Sequence, residues 1–207
     1  MDASLFPTKG NLMLAKNTLA LSKQGYELLD KKRNILIREM MLLVDEAAEL
    51  QQDMGKVFAE AYQALQHANI TLGISEVERL SHAVPIEEDV EIRFRSVMGV
   101  ELPVVRYTAP PLTPQYGFYN TNPALDEAVM KFAKVKEMTL RLAEVENAVR
   151  RLAVNIKKTQ KRANSLKNVL IPRYETIVKS IQDILDEKER EEFTRLKVIK
   201  KQKMKND

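Results

Sequence analysis

The sequence predicts a mainly α protein: a long antiparallel two-helix coiled coil formed by the N- and C-terminal segments, with a short central β-hairpin insert. Three observations predict it. Apolar residues recur at heptad spacing for dozens of residues toward each end, the signature of helices that pair along a seam. There is no third segment of that kind, so the two stripes satisfy each other when the chain folds back. Between them the period changes from helical to alternating around a glycine, which reads as two strands and a tight turn. Composition fits a thin core: charged residues make up 30%, aromatic residues 6%, Trp is absent and Gly numbers only 6.

The first helical segment, 8–72, opens at Pro7-Thr8, a turn followed by an N-cap residue. It stops near Thr71 and Gly73. One seam reads Leu12, Leu19, Tyr26, Arg33, Met40, Ala47, Met54, Ala61, Ala68, and its companion reads Ala15, Ser22, Leu29, Leu36, Leu43, Leu50, Val57, Ala64. At about 1.5 Å per residue such a helix spans roughly 95 Å, so a rod is expected. Gly25 and Gly55 interrupt it. Each costs about 1 kcal/mol relative to Ala, and either admits a neighbouring backbone or is simply tolerated.

The central insert, 73–123, begins with a short helix, Ser75 to Ala83, that ends before Pro85. Val90, Ile92 and Phe94 then alternate with charged residues, and Val100, Leu102, Val104, Val105 and Tyr107 follow Gly99. This reads as a hairpin over about 90–107, with Val97, Met98, Gly99 and Val100 at its turn. Pro103 places the second strand at an edge. Two strands alone are marginal in water, so the hairpin leans on the coil or on another protein of an assembly. Pro110, Pro111, Pro114 and Gly117 form an irregular connection, and Asn122-Pro123 opens the returning helix near Ala124.

The second helical segment, 124–198, carries Leu142, Val149, Ile156, Ala163, Leu170, Ile177 and Ile184 on one seam and Val145, Leu152, Thr159 and Leu166 on the other. The companion seam then lapses at Arg173 and Ser180. Pro172 removes the hydrogen bond to the carbonyl of Asn168 and so kinks or divides the helix, as a functional bend or a harmless break. Residues 199–207 read as a basic tail.

The chemistry of the sequence is mostly one of exclusions. Cysteine is absent, which rules out disulfides, thiolate catalysis and Cys-based metal sites and fits a reducing compartment. There is no phosphate-binding loop, dinucleotide fingerprint or nucleophile elbow. His67 and His82 stand fifteen apart without a carboxylate constellation and read as surface or packing residues. No catalytic residue, cofactor or metal ligand is expected, so the chain reads as a non-enzyme. No apolar run approaches the ~20 residues of a membrane span, and residues 1–6 lack the features of a signal peptide, so a cytoplasmic location is expected.

Net charge is only +4, yet it is unevenly placed. From Arg150 to Arg173 there are eight basic residues, including Lys157, Lys158, Lys161, Arg162 and Lys167, and no acid. Cations at i, i+4 repel one another on a helix, so the accumulation reads either as a solvated face or as a surface made for a negative partner. An acidic cluster, Asp183 to Glu192, follows. A free-standing coiled-coil scaffold or a nucleic-acid-binding rod could also use a basic stripe. Aromatic residues for base stacking are not interleaved with it, however, and the narrow apolar stripe, already used in pairing, argues against a membrane-surface helix.

Five stretches, in order over the whole chain, resemble the D subunit of the V-type (V/A-type) ATPases. They are Pro7 to Leu12, Lys23 to Arg33, the hairpin Val97 to Pro103, Lys158 to Leu166 with Ile171-Pro172-Arg173, and Glu189 to Lys197; the Tyr116-Gly117-Phe118 approach agrees as well. Gln160 stands where that family commonly has Arg, and Tyr26 where it often has His. The resemblance implies a central rotor axle whose tip, carrying both termini, enters a ring of three catalytic A and three B subunits. Its other end joins the F subunit and the C subunit, the latter being the connector to the membrane-side rotor. It implies a chain peripheral to the membrane that transmits torque without chemistry, with Lys157, Lys158, Lys161, Arg162, Lys167 and Arg173 contacting the ring. The hairpin is expected to touch a neighbour and modulate turnover.

Overall fold

The computed structural model describes residues 6–84, 90–108, 116, 117, 119 and 121–206. Pro85, the prolines at 110, 111 and 114, and Phe118 lie outside the described residues. The elements are α1 (Lys9–Leu72), α2 (Ile74–Ser81), β1 (Val90–Val97), β2 (Val100–Tyr107), α3 (Pro123–Ser165), a π-helical turn (Leu166–Leu170) and α4 (Ile171–Asn206). They form two compact units, residues 1–34 with 157–207, and residues 35–156.

Local chemistry sets the helix ends. Thr8 accepts a hydrogen bond from the Asn11 amide at 3.2 Å, satisfying one of the donors that a helix start leaves open. Asn122 does the same for α3, accepting from the Leu125 amide at 3.2 Å, with Pro123 at the first helical position, where a missing N–H costs nothing. Gly73 breaks the chain between α1 and α2 with φ 87, a conformation that other residues rarely adopt. α4 runs on to Asn206, through the residues whose composition reads as a tail.

In the first unit, α1 runs antiparallel to the segment formed by the end of α3, the π-turn and α4. Lys9 pairs with Glu189 at 2.9 Å, Lys23 with Glu175 at 2.7 Å, and Arg33 donates to Gln160 Oε1 at 2.8 Å. Ala15, Ser22, Thr159, Ala163 and Ile181 are buried, and Leu12, Leu19, Leu29 and Leu170 are half-buried. Arg33 places a polar layer in this seam. It pairs with Asp30 at 2.7 Å and holds Gln160, which in turn donates to Asn164 at 2.8 Å, while the buried Nε of Arg33 finds no partner. A polar residue at such a position fixes register at some cost in stability.

The π-turn corrects the expected seam. In it the Ile171 amide donates to the carbonyl of Leu166, five residues back rather than four. One extra residue enters the turn, so each later inward position moves on by one. Tyr174, Val178, Ile181 and Leu185 turn inward and Ile177 of the expected seam stays half-buried beside them, whereas Arg173, Ser180 and Ile184 are exposed. The stripe that lapses in the sequence therefore continues, displaced by one residue. Pro172 follows the turn directly, inside a helical run that continues through it, and having no N–H it leaves one carbonyl of the preceding turn without a helical donor.

Gly25 lies under this turn, and a Cβ there would meet Leu166 Cδ1 at 3.7 Å, an ordinary contact. Gly25→Ala should therefore gain the helix preference of Ala without a clash. The expected result is a stabilisation of about 0.5–1 kcal/mol, read from thermal unfolding. A loss of stability would mean that the backbones need to approach more closely than these distances show.

In the second unit α1 and α3 are again antiparallel. Glu46 pairs with Arg141 at 2.6 Å, Glu60 with Lys131 at 3.7 Å, and Asn122 donates to Thr71 Oγ1 at 2.8 Å. Leu36, Leu142, Val145, Leu152 and Ala64 are buried, and Leu43, Leu50, Val149 and Ile156 are half-buried. At one end, α2 folds Val77 and Leu80 onto Ala68, Ala124 and Leu125, with Tyr116 packed against them.

Tyr116 donates its hydroxyl to Asp126 Oδ1 at 2.6 Å. Burial, and then the carboxylate beside it, push its pKa from 10.0 up to about 12. The folded state thus keeps a proton that the unfolded chain releases first. The stabilisation is fully present below pH 10 and is lost as the pH rises toward 12. Tyr116→Phe should cost about 1 kcal/mol at neutral pH and flatten that alkaline decline, which denaturation at stepped pH would reveal.

Candidate functional site

Two surfaces carry the residues singled out by sequence. The first is the hairpin. β1 and β2 pair antiparallel from Val90↔Tyr107 to Val97↔Val100, leaving Met98 and Gly99 as a two-residue turn. Both have positive φ, 50 and 75, the geometry whose twist suits a hairpin. Val100 and Leu102 are buried with Leu36, Ala148 and Leu152, and Val97 packs on the same cluster. Met98 and Gly99 are exposed at the tip.

The outer edge of β2 is held by α3. The Val105 amide donates to Glu144 at 3.2 Å, and Arg151 donates to the Glu101 carbonyl at 3.1 Å. Pro103 sits between these two contacts and, having no N–H, needs no partner there. Arg151 also lies over the Phe94 ring at 5.2 Å. Sequence reasoning placed Arg151 in the basic stripe and missed Glu144. The only available signal was their separation by one heptad, which puts both on one face of α3.

The second surface is the basic stripe in the first unit. Lys157, Lys158, Lys161, Arg162 and Arg173 are all exposed, and none forms an ion pair or side-chain hydrogen bond among the described residues. Lys167 differs, lying over the Tyr26 ring at 5.6 Å. These five cations thus have no ion-pair partner among the described residues. In the same unit α1 exposes Leu14, Leu21 and Leu28, seven residues apart and 65%, 67% and 67% accessible. α4 exposes Phe193, Leu196 and Met204.

Among the described residues no group of His, Cys, Asp and Glu is placed to hold a metal ion, and no helix is long and apolar enough to cross a membrane. His67 and His82 are exposed.

Comparison with known proteins decides the family. Residues 11–201 match the family described as the ATP synthase D subunit. The chain belongs to that family. It is 45% identical over 197 residues to the V-type ATP synthase D subunit of Thermotoga neapolitana, covering 95% of this chain and 97% of that one. It is 38% identical over 199 residues to the A-type ATP synthase D subunit of Pyrococcus abyssi, covering 94% and 92%. The A-type ATP synthase D subunit of Methanopyrus kandleri is 39% identical, with 94% and 84% covered. The resemblance carried by the five stretches thus extends to the whole family match, which includes both the hairpin and the basic stripe.

Proposed function

We propose that this chain is the central rotor shaft of a V/A-type ATPase or ATP synthase, passing torque between the catalytic A/B ring and the membrane rotor without performing chemistry. Its partners on this reading are the A, B, F and C subunits, and it works peripheral to the membrane on the cytoplasmic side. Beyond family membership, the observation that carries the reading is the first unit. It pairs unneutralised cations with exposed heptad-spaced leucines on helices that offer no reactive group. An exposed cationic and apolar surface gains interaction free energy from a complementary partner, and charge-rich, movable contacts suit a partner that changes as the shaft turns.

The reading is tested by mixing the purified chain with the A and B subunits of the same source and measuring mass by light scattering together with the ATPase rate. One copy should join three A and three B subunits and alter hydrolysis. No association at low salt would overturn it in favour of a free-standing scaffold, and salt-dependent binding to duplex DNA would favour a nucleic-acid rod.

A further inference from the structure

The two edges of the hairpin are not alike. Val97 and Val100 close a two-residue turn and so exchange backbone hydrogen bonds, and the bonded pairs recur at every second position as Arg95↔Leu102, Arg93↔Val104 and Glu91↔Arg106. The residues between them turn their N–H and C=O groups away from the partner strand. On β2 these are Glu101, Pro103 and Val105, where α3 engages the Glu101 carbonyl and the Val105 amide and Pro103 presents no N–H. On β1 they run from Val90 through Ile92 and Phe94 to Ser96. Among the described residues none of their backbone groups has a hydrogen-bond partner.

Such an open row is a template for a further strand, and sheets that must avoid one shield it with a proline, a bulge, an unpaired charge or a covering element. β1 has no proline, and its register with β2 is regular over all eight residues. Its arginines are already engaged. Arg93 pairs with Glu91 at 2.9 Å, and Arg95 with Glu39 of α1 at 2.7 Å.

The surroundings of the edge specify what fits it. The pleat that turns Val97, Val100 and Leu102 onto the helices turns Ile92 and Phe94 to the opposite face, where they are 59% and 56% accessible. Arg95, on the helix side, reaches Glu39 and so sets β1 beside one flank of α1. Ile35 and Leu42 share that flank, four residues before Glu39 and three after it, and are 42% and 63% accessible. Arg38 stands between those two, exposed and without an ion pair among the described residues.

We propose that the free edge of β1 takes up an extended segment of another protein of the same assembly as a third strand of the sheet. Over Ile92 to Ser96 the segment is about five residues long, or roughly 14 Å. Backbone bonds to Ile92, Phe94 and Ser96 hold it, and an extended chain matches a row of donors and acceptors two residues apart. Its side chains across from Ile92 and Phe94 are apolar. Those between them turn toward α1, apolar over Ile35 and Leu42 and acidic where they meet Arg38. The inference rests on the reading of the chain as a component of a rotary complex.

Hydrogen exchange resolved to single amides tests it. On assembly with the A and B subunits and the other rotor subunits, the amides of Ile92, Phe94 and Ser96 should slow at least tenfold. Those of Arg93 and Arg95, bonded to β2 in both states, should change less than threefold. The chain has no cysteine, so Ile92→Cys introduces a single thiol, and a benzophenone-maleimide attached there should crosslink in the complex to an extended segment of another protein with the stated pattern. Unchanged exchange at the three outward amides in a complex of normal mass would overturn the added strand and leave the rotor reading standing. A crosslink to a helix would do the same. Slowing that grows with concentration in the isolated chain, with a dimer mass, would assign the edge to a second copy and so refute the proposal, and a chain that never enters the complex would refute both readings.

Discussion

Truncating Leu152 to Ala is expected to destabilise the second unit by about 2–5 kcal/mol and to release the hairpin from the helices. Leu152 has no accessible surface and shares one cluster with Leu36, Ala148, Val100 and Leu102. It is therefore where the two helices and the hairpin meet. A two-stranded sheet has too little burial to persist alone, so the hairpin is held by this cluster, by the polar contacts of Glu144 and Arg151 and by the Arg95–Glu39 ion pair at 2.7 Å. Regular helices cannot close on the space that a lost isobutyl group leaves, and the cavity remains a cost. Urea unfolding should show a lower midpoint, and amide exchange in 90–107 should accelerate. Leu28→Ala, at an exposed position of α1, should stay within about 0.5 kcal/mol of the parent. An equal response from the two variants would refute the assignment of the core.

The second large effect is expected in assembly rather than in folding. Lys161→Glu with Arg162→Glu replaces two exposed cations that have no partner among the described residues, so unfolding should move by less than about 0.5 kcal/mol. Association with the A/B ring should weaken tenfold or more, about 1.4 kcal/mol, because attraction becomes repulsion on the face proposed to meet it. Added salt should narrow the gap between parent and variant, since screening removes both terms. Unchanged ring binding and ATP-driven rotation in the double variant would show that the stripe is only a solvated face.

How much was legible in the residues varied with how local the determining physics is. The caps at Thr8 and Asn122 and the turn at Met98-Gly99 depend on a few neighbouring residues, and the pattern states them directly. On α1 two heptad-spaced apolar stripes compete. Leu14, Leu21 and Leu28 form a stripe as regular as Leu12, Leu19 and Tyr26, but only the latter has a companion three residues on at Ala15, Ser22 and Leu29. The companion separates the stripes because a helix pair needs two interleaved rows. The course of the chain after Leu166 was not legible in the same way. The π-turn shifts the inward face by one residue, and the heptad pattern does not mark where that shift falls.

Sequence alone therefore determined the class of fold, its helical segments and the presence of clustered like charge, because helix periodicity, capping and composition act within a few residues of chain. Only the tertiary structure decided which cations are engaged, as Arg151 and Lys167 are, and which have no partner among the described residues. It alone joined the hairpin to α3 through Glu144. Those outcomes depend on what a side chain meets across the fold, and residues far apart in sequence carry no mark of who their neighbours will be.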